Sequence, residues 1–574
     1  MHTDDRMRAL GRRVDQALGR ERADLVVKGA RLLNVITGEL ADGDVAICGD
    51  RIIGTYERYE GATEIDGRDL FVVPGFIDTH VHVESTLVSP AEFDRCVLPR
   101  GTTTAICDPH EIANVLGEIG LRFFLESALH TALDLRVQLS SCVPATHLET
   151  SGARLAAADL IRHRDHPQVI GLAEFMNFPG IFAKDPEVLG KLVAFEGAPI
   201  DGHAPLVRGH ELNAYAACGI RNCHESTSLE EAQEKLRKGM QVLVRDGSVS
   251  KDVAALAPLL DAMNSPFVAL CTDDRNPLDI AHEGHIDHLI RAMIARGAPI
   301  PAVYRAATWS AASGFGLRDR GLVAPGYRAD LVLVGDLARC DVQRVIRGGA
   351  VVHASTFEGR TRVPMVGAGS IHLAPITADD LAIPAIGAGA SSPVIGVLPG
   401  KILTEARAAV LPAQGGRRRA DPDQDILKIA VLSRHGKNHN IGRAFVQGFG
   451  IRRGALASSV GHDSHNVCVV GSSDDDMALA VNRLIDLQGG FVAVMDGVIL
   501  AELPLPLAGL MSDLPFEEVE RRLVRLRAAV REGMGCPLDE PFLQLAFLPL
   551  PVIPHLKITD MGLVDVDRFE IVAA

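Results

Sequence analysis

Short stretches of alternating apolar and polar positions lie on both sides of a long central region. Apolar, β-rich stretches separated by turn-forming residues occur at Leu25–Val27, Val45–Cys48 and Arg51–Ile53, and they predict a small antiparallel sheet. The same pattern returns at Asp330–Val334 and Val345–His353, after the central region. We therefore predict one discontinuous domain, a small β-sandwich formed by residues 1–73 and 321–363.

In the central region, residues 74–320, apolar strand-like stretches alternate with segments of helical pattern. Helix starts are indicated by the capping sequences Ser89-Pro90-Ala91-Glu92, Asp185-Pro186 and Ser228-Leu229-Glu230-Glu231. Eight strand–helix units in one region predict an α/β fold, a (β/α)₈ TIM barrel. The predicted strands are Phe76–His82, Thr103–Cys107, Arg136–Cys142, Val169–Phe175, Pro199–His203, Gly219–His224, Gln241–Val244 and Phe267–Thr272.

For residues 364–574 we predict a linker followed by a C-terminal α+β domain. The linker is expected up to about Asp425, because this part is rich in Gly, Ala and Pro. Strands are predicted at Ile426–Leu432 and Asn466–Val470, and helices at Met477–Leu487 and Phe516–Arg531.

Composition narrows the class of protein. With 47% apolar and 23% charged residues, the 574-residue chain has the proportions of a globular protein. Its formal net charge of −15 disfavours nucleic acid as a partner. The sequence shows no signal-peptide pattern and no long uncharged apolar stretch, and its ten Cys include no Cys-x-x-Cys pair. We expect a cytoplasmic protein that binds neither membranes nor nucleic acids and forms a homo-oligomer, most simply a dimer.

Ionisable residues stand at the ends of several predicted barrel strands. His80 and His82 are two residues apart on one strand, so both imidazoles face the same side. The carboxyl ends of barrel strands meet at one face, where such enzymes build their active sites. Four His and two carboxylates are enough to hold one or two divalent ions. The other four candidate ligands are Glu174, His203, His224 and Asp273.

The motif Pro74-Gly75-Phe76-Ile77-Asp78-Thr79-His80-Val81-His82 resembles the amidohydrolase superfamily. Within it, further segments resemble adenine deaminases of the bacterial type, over most of the chain from about Asp24 onward. The C-terminal segment Gly461-His462-Asp463-Ser464-His465-Asn466 is similar to the extra domain of that family. The barrel segments are His80-Val81-His82-Val83-Glu84-Ser85, Cys107-Asp108-Pro109-His110-Glu111, Ala173-Glu174-Phe175-Met176-Asn177, Asp201-Gly202-His203-Ala204, Cys223-His224-Glu225-Ser226 and Cys271-Thr272-Asp273-Asp274-Arg275.

This resemblance implies a binuclear metal centre. Many superfamily members bridge two metals with a carbamylated Lys on the fourth strand, but Val169–Phe175 has no Lys, and Glu174 is its only ionisable residue. A carboxylate has two oxygens and can bridge two cations. The implied ion is Mn²⁺, with Fe²⁺ or Zn²⁺ as alternatives. We predict His80, His82 and Asp273 on one ion, His203 and His224 on the other, and Glu174 between them.

The resemblance also implies a reaction, the hydrolytic deamination of adenine to hypoxanthine and ammonia. Asp273 is predicted to take a proton from the activated water and pass it to the purine ring. His110 is either a proton shuttle, a contact to the ring or a structural hydrogen-bonding group. Glu84 is the third candidate catalytic residue.

The predicted substrate-binding residues are Glu84, Ser85, Asn177 and Asp274. Glu84 and Ser85 could instead pack or cap the loop after the first barrel strand, and Asp274 could cap a helix. Three polar residues of the C-terminal motif either cover the site or form an exposed turn: His462, His465 and Asn466.

Other functions remain open at this point. A cyclic-amide or dipeptide hydrolase on the same scaffold would need a cation for a substrate carboxylate, which Arg275 could supply. A catalytically inactive barrel that acts as a scaffold would be expected to have lost metal ligands. His82-Val83-Glu84 matches half of the cytidine-deaminase zinc signature, but no Pro-Cys-x-x-Cys follows, so that fold is excluded.

Overall fold

The computed structural model describes residues 3–385, 387 and 389–573. Helix α1 (Thr3–Ala17), which the sequence analysis did not predict, precedes the first sheet. Strands from before and after the central region form one eight-stranded sheet, in which Leu331 pairs with Pro74. All these strands are joined by hydrogen bonds into one sheet, which folds back on itself so that Gly349 lies against Gly49 and Ile47, and the β-sandwich stays a prediction. They are β1 (Ala23–Leu33), β2 (Leu40–Cys48), β3 (Arg51–Thr55), β4 (Gly61–Asp66), β5 (Phe71–Pro74), β14 (Leu331–Val334), β15 (Val342–Arg347) and β16 (Ala350–Val351).

The central region contains all eight predicted strands in a TIM-barrel-like α/β arrangement, with the helices between them. Ser228 and Asp185 cap their helices with side-chain hydrogen bonds as predicted, whereas the Ser89 side chain makes none. The strands are β6 (Phe76–Val81), β7 (Thr102–Cys107), β8 (Asp134–Leu139), β9 (Val169–Phe175), β10 (Ile200–Gly202), β11 (Asn222–Cys223), β12 (Gln241–Arg245) and β13 (Val268–Cys271). The helices are α2 (Pro90–Val97), α3 (His110–Leu116), α4 (Glu118–Ala128), α5 (Ala157–Ile161), α6 (Phe178–Ala183), α7 (Pro186–Ala194), α8 (Gly209–Ala217), α9 (Leu229–Arg237), α10 (Val253–Leu256), α11 (Pro277–His282), α12 (Ile286–Ala295), α13 (Ile300–Arg305) and α14 (Ala311–Gly314).

The barrel sheet is not closed, which corrects the prediction of a continuous (β/α)₈ barrel. Strands β6–β10 form one parallel sheet and β11–β13 another. Side chains replace ladder hydrogen bonds where the two sheets meet. The Asn222 side chain accepts from Gly202 N (2.9 Å) at one seam, and the Asp78 carboxylate accepts from Thr272 N (3.1 Å) at the other. A single parallel bridge, Val81 with Asp273, also crosses the second seam.

The C-terminal region is built on a second eight-stranded sheet, in the order β19-β18-β23-β22-β25-β24-β26-β27. Part of the predicted linker belongs to this sheet, because β18 and β19 lie within residues 364–425 and pair along seven residues each. The strands are β17 (Ile383–Pro384), β18 (Ser391–Val397), β19 (Thr404–Val410), β20 (Ala413–Gln414), β21 (Arg417–Arg418), β22 (Ile426–Leu432), β23 (Ile441–Gln447), β24 (Ala455–Ser458), β25 (Val467–Gly471), β26 (Gly490–Met495), β27 (Val498–Pro504), β28 (Leu556–Thr559), β29 (Gly562–Asp565) and β30 (Glu570–Val572). The helices are α15 (Asp474–Leu487), α16 (Phe516–Ala528) and α17 (Pro541–Ala546).

This C-terminal region packs against the carboxyl end of the barrel strands. One apolar core contains Val83 and Ile112 from the barrel loops together with Leu505 and Leu510 from the C-terminal region. Hydrogen bonds join the same surfaces, for example Ser512 N to the Leu87 carbonyl oxygen at 2.8 Å. The C-terminal region therefore covers the barrel mouth. Among the described residues, none of the helices has the length and apolar character needed to cross a membrane.

Candidate active site

His80 in β6 and His82, directly after that strand, point to one place at the barrel mouth. Both are buried, and their Nε2 atoms lie 3.1 Å apart because the alternation of the strand puts them on the same face. The Asp273 Oδ1 atom lies 3.4 Å from the Nε2 of His80 and 3.1 Å from that of His82. Asp273 has a left-handed backbone (φ 56°), so the chain turns sharply just after β13.

Hydrogen bonds on the far side of each ring show which nitrogens are free to bind a metal. The Nδ1 of His82 lies 3.1 Å from the carbonyl oxygen of Asp108, which only accepts, so this nitrogen carries the proton. The Nδ1 of His80 lies 3.1 Å from an Asp201 carboxylate oxygen. Both Nε2 lone pairs therefore converge on one point beside a carboxylate. Such an arrangement is repulsive without a cation, and it fits a divalent metal.

Glu174 lies between two groups of imidazoles. Its Oε1 is 3.3 Å from the Nε2 of His82 and 3.7 Å from that of His80. Its Oε2 is 2.6 Å from the Nδ1 of His203 and 3.3 Å from the Nε2 of His224. Burial alone would raise the pKa of Glu174, but these imidazoles outweigh it and hold the pKa well below its usual value. The structure thus brings all six predicted metal ligands together.

Two charged residues beside this group were missed by the sequence analysis. Glu225 Oε1 lies 3.7 Å from a ring nitrogen of His203 and of His224. Arg245, at the end of β12, is buried and pairs closely with Glu225 and with Asp273 Oδ2 at 3.0 Å. Burial opposes the charge of Arg245, yet its carboxylate partners raise its pKa well above the usual value. Arg245 could have been found, because it stands one residue beyond the predicted seventh strand.

A group of four buried polar residues lies next to the metal ligands and consists of Glu84, Ser85, Glu111 and Asp274. The Ser85 hydroxyl lies 3.1 Å from Glu111 Oε1 and is in close contact with Asp274 Oδ1. Glu84 accepts from Ile112 N (3.2 Å). Burial, together with repulsion from Glu111, raises the pKa of Glu84 to about 8. We call these four residues the acidic group; Glu111 was not among the predicted site residues.

His110 connects the metal ligands to the C-terminal region. Its Nδ1 lies 2.9 Å from Asp108 Oδ2 and 3.5 Å from Glu174 Oε1. Its Nε2 lies 3.5 Å from Oδ1 of Asp463, a residue of the C-terminal region. The ring is therefore within reach of the reaction centre.

A cavity at this point is shared by both regions. From the C-terminal region it is lined by His462 and Asp463 and by three apolar residues that the sequence analysis missed, Ile402, Phe547 and Leu550. The interpretation of the C-terminal motif as an exposed turn is wrong, since Gly461–Asn466 is buried. The barrel supplies the rest of the lining, namely His82, His110, Glu174, Met176, His203, His224, Glu225, Arg245, Ser250, Asp273 and Asp274.

Several predicted site residues do not line this cavity. Asn177 caps α6, where its side chain accepts from Gly180 N at 2.9 Å, and it lines a different cavity. A role of Asn177 in substrate binding therefore stays a prediction. His465 and Asn466 instead support the C-terminal motif, because Gly461 N donates to His465 Nδ1 (3.2 Å) and the Asn466 side chain donates to the barrel. Glu84 and Ser85 lie behind the lining, next to Asp274.

Family models and curated proteins match this chain over most of its length. A family model described as the amidohydrolase family matches residues 71–352, and one described as the adenine deaminase C-terminal domain matches residues 401–570. A curated adenine deaminase from Methylobacterium nodulans is 62% identical over 562 residues, which cover 98% of this chain and 99% of that protein. Adenine deaminase from Cereibacter sphaeroides and adenine deaminase 1 from Rhizobium meliloti are each 60% identical, with 98% and 99% of the two lengths covered. Among solved structures, N-acetyl-D-glucosamine-6-phosphate deacetylase from Mycobacterium smegmatis matches 57% of this chain and 100% of its own, with 18% identity and a TM-score of 0.44. The identity and coverage of the curated relatives show that this chain belongs to the adenine deaminase family.

Proposed function

We propose that this chain hydrolyses adenine to hypoxanthine and ammonia. The observation that carries the proposal is Glu174, whose two carboxylate oxygens face two separate groups of imidazoles at the mouth of the barrel. The curated relatives are adenine deaminases, and they match this chain along almost their whole length. A cavity beside these ligands is lined by further ionisable groups, which can hydrogen-bond a small polar base.

The residues fit two divalent ions, for which we propose Mn²⁺, with Fe²⁺ or Zn²⁺ as alternatives. His80, His82 and Asp273 would hold one ion, His203 and His224 the other, and Glu174 would bridge them. Such ions lower the pKa of bound water from about 16 to about 7. Glu225 would keep the second pair of imidazoles in place.

Asp273 would move the proton of the attacking water. Its Oδ1 faces the metal-binding nitrogens, while its Oδ2 is fixed by Arg245, so the carboxylate cannot turn away from the cavity. Asp273 would accept the proton as water adds to C6 and deliver it to a ring nitrogen. The tetrahedral carbon then expels ammonia. His110, at the edge of the same cavity, would supply the proton that the leaving amine needs, and the hydroxyl proton released as the C6 carbonyl forms would return to His110.

The acidic group supplies hydrogen bonds for the purine edge. A carboxylate such as Asp274 accepts from a purine N–H. Glu84 lies behind the lining of the cavity, and because its pKa is about 8 it is protonated at neutral pH and adds no negative charge there. Ser85 and Glu111 fix the positions of these two groups.

The structure disfavours the alternative, a cyclic-amide or dipeptide hydrolase. Arg275 would have to bind the substrate carboxylate, but it is fully buried and already donates to Glu283 (2.6 Å), to the Gly284 carbonyl oxygen (2.9 Å) and to the Asp246 carbonyl oxygen (3.0 Å). It does not line the cavity. An inactive scaffold is also disfavoured, because all six candidate ligands are present and converge.

The test is a comparison of substrates with Mn²⁺-reconstituted enzyme. Ammonia release from adenine should be far faster than hydrolysis of hydantoins or dipeptides, and adenosine serves as the larger purine control. The proposal fails if metal-replete enzyme releases no ammonia from adenine. A cytoplasmic location and a homodimer stay predictions, which fractionation and size-exclusion chromatography with light scattering would check.

A further inference from the structure

The C-terminal region places one imidazole with a free nitrogen in the cavity. The His462 ring is buried and lines the cavity. Its Nδ1 lies 3.6 Å from Glu111 Oε1 and 3.7 Å from Asp463 Oδ1. Its Nε2 has no hydrogen-bond partner among the residues that the structure describes. A buried nitrogen without a partner costs free energy, so this atom points to a ligand group that binds it.

The ring is held in a fixed orientation. Phe547 stacks on it with ring centroids 4.5 Å apart and planes inclined by only 6°. The backbone N–H of His462 donates to the Ala546 carbonyl oxygen (2.8 Å), and His435 Nε2 lies 2.8 Å from the Ser464 carbonyl oxygen in the same turn. The imidazole is therefore positioned in advance, as a substrate-binding group should be.

The surrounding charges favour a ring that donates from both nitrogens. The titratable groups facing His462 are Glu111 on α3, Asp274 after β13, its neighbour Asp463, and His465. Burial opposes the charged form of His462, but Asp274, Glu111 and Asp463 outweigh it and raise its pKa to about 9. Because an imidazolium carries two N–H groups, Nε2 is a donor at neutral pH.

Few groups that line the cavity can donate a hydrogen bond to a purine nitrogen. Most of its polar lining consists of carboxylates and metal-binding imidazoles, which accept hydrogen bonds or hold cations. Arg245 is already engaged by Glu225, Asp252 and Asp273. A purine, however, presents acceptor nitrogens as well as N–H groups.

We propose that His462 binds the substrate, donating a hydrogen bond from Nε2 to an acceptor nitrogen of the purine ring. This inference rests on the proposed function. It means that the barrel carries out the chemistry, while the C-terminal region contributes directly to recognition of the base.

The experiment removes the His462 imidazole and the purine nitrogen that it would bind, first separately and then together. kcat/KM is measured for adenine, 3-deazaadenine and 7-deazaadenine with the parent and with His462→Phe, which keeps the stack on Phe547 but has no ring nitrogen. His462→Phe should lower kcat/KM for adenine by roughly 10- to 100-fold, and for the analogue that lacks the bonded nitrogen by less than about threefold. Where an analogue is not turned over, its inhibition constant against adenine replaces kcat/KM.

Two further variants separate binding from folding. His462→Gln keeps an N–H donor and should recover part of the loss, and it replaces His462→Phe in the comparison if the latter does not fold. His435→Gln loosens the same turn without removing a group from the cavity, so it should affect adenine and both analogues equally. Equal losses for all three compounds in His462→Phe or in His462→Gln would overturn the inference. Failure of the proposed function would be seen separately, as an absence of ammonia release in the parent.

Discussion

Replacing Arg245 with methionine tests whether this one buried cation neutralises the three carboxylates that surround it beside the metal ligands. Arg245 pairs with Asp273 at 3.0 Å, with Asp252 at 3.1 Å and closely with Glu225. Unit charges 3.0 Å apart attract by about 5.5 kcal/mol at an effective dielectric constant of about 20. Desolvation cancels much of that attraction, so removing one partner of such a buried pair costs about 3–5 kcal/mol of unfolding free energy.

The pH dependence of this loss has a defined sign. Burial raises the pKa of Asp252 to about 6 in spite of Arg245, so the folded chain binds a proton there more tightly than the unfolded chain does. Without Arg245 this pKa rises further, and the penalty for holding an ionised Asp252 grows. The Arg245→Met variant should therefore be least stable at pH values above this raised pKa and should recover stability as the pH falls through it, which places the recovery above pH 6.

Urea unfolding of the metal-free protein between pH 5 and pH 8 measures both effects. Arg245→Lys serves as the matched control, because it keeps the charge but loses the forked hydrogen bonds, and we expect it to lose less than Arg245→Met. An Arg245→Met variant within about 1 kcal/mol of the parent at pH 8, or one whose deficit grows on acidification, would refute the reasoning.

Other expected outcomes concern single residues of the site. Glu174→Ala should hold fewer than two metal ions per chain by elemental analysis, and full retention of two ions would reject the bridge. Asp273→Asn should lower kcat for ammonia release by roughly 10²- to 10⁴-fold in metal-saturated assays, and a change under tenfold would exclude it as the proton-transfer group. The parent should lose activity as the pH rises through about 8, where Glu84 loses its proton, and Glu84→Gln, which keeps a donor, should not show that loss in its pH–rate profile. Asn177→Ala should destabilise the fold by about 1 kcal/mol in thermal unfolding through loss of the α6 cap, and a raised KM for adenine would contradict its position outside the cavity.

The sequence predicts the barrel strands and metal ligands well because both depend on local pattern. Strand β9 is apolar except for Glu174, which stands next to its last residue. The Glu174 side chain therefore lies at the carboxyl end of the strand whatever the rest of the chain does. The cap formed by Asn177 could not be distinguished from a ligand contact in the sequence, because the same residue type favours both after a strand.

Other features depend on contacts between distant residues. The seven-residue strands β18 and β19 are flanked by Gly and Pro, and this composition is typical of a linker. Both strands are stabilised by pairing with each other, and β18 also pairs with β23. Phe547 and Leu550 gave no chemical signal, since an apolar residue lining a cavity looks like any core residue. The open seams of the barrel arise from Asp78 and Asn222, whose side chains take the place of backbone partners.

Those seams divide the barrel wall into two arcs, and the candidate ligands are distributed over both. His80, His82, Glu174 and His203 belong to the five-stranded arc, whereas His224 and Asp273 belong to the three-stranded one. Cations held by both sets would link the two arcs across seams where few backbone hydrogen bonds join them. Metal loading should then slow amide hydrogen exchange at Gly202 and Thr272. The ions that take part in catalysis would thus also stabilise the contact between the two sheets of the barrel.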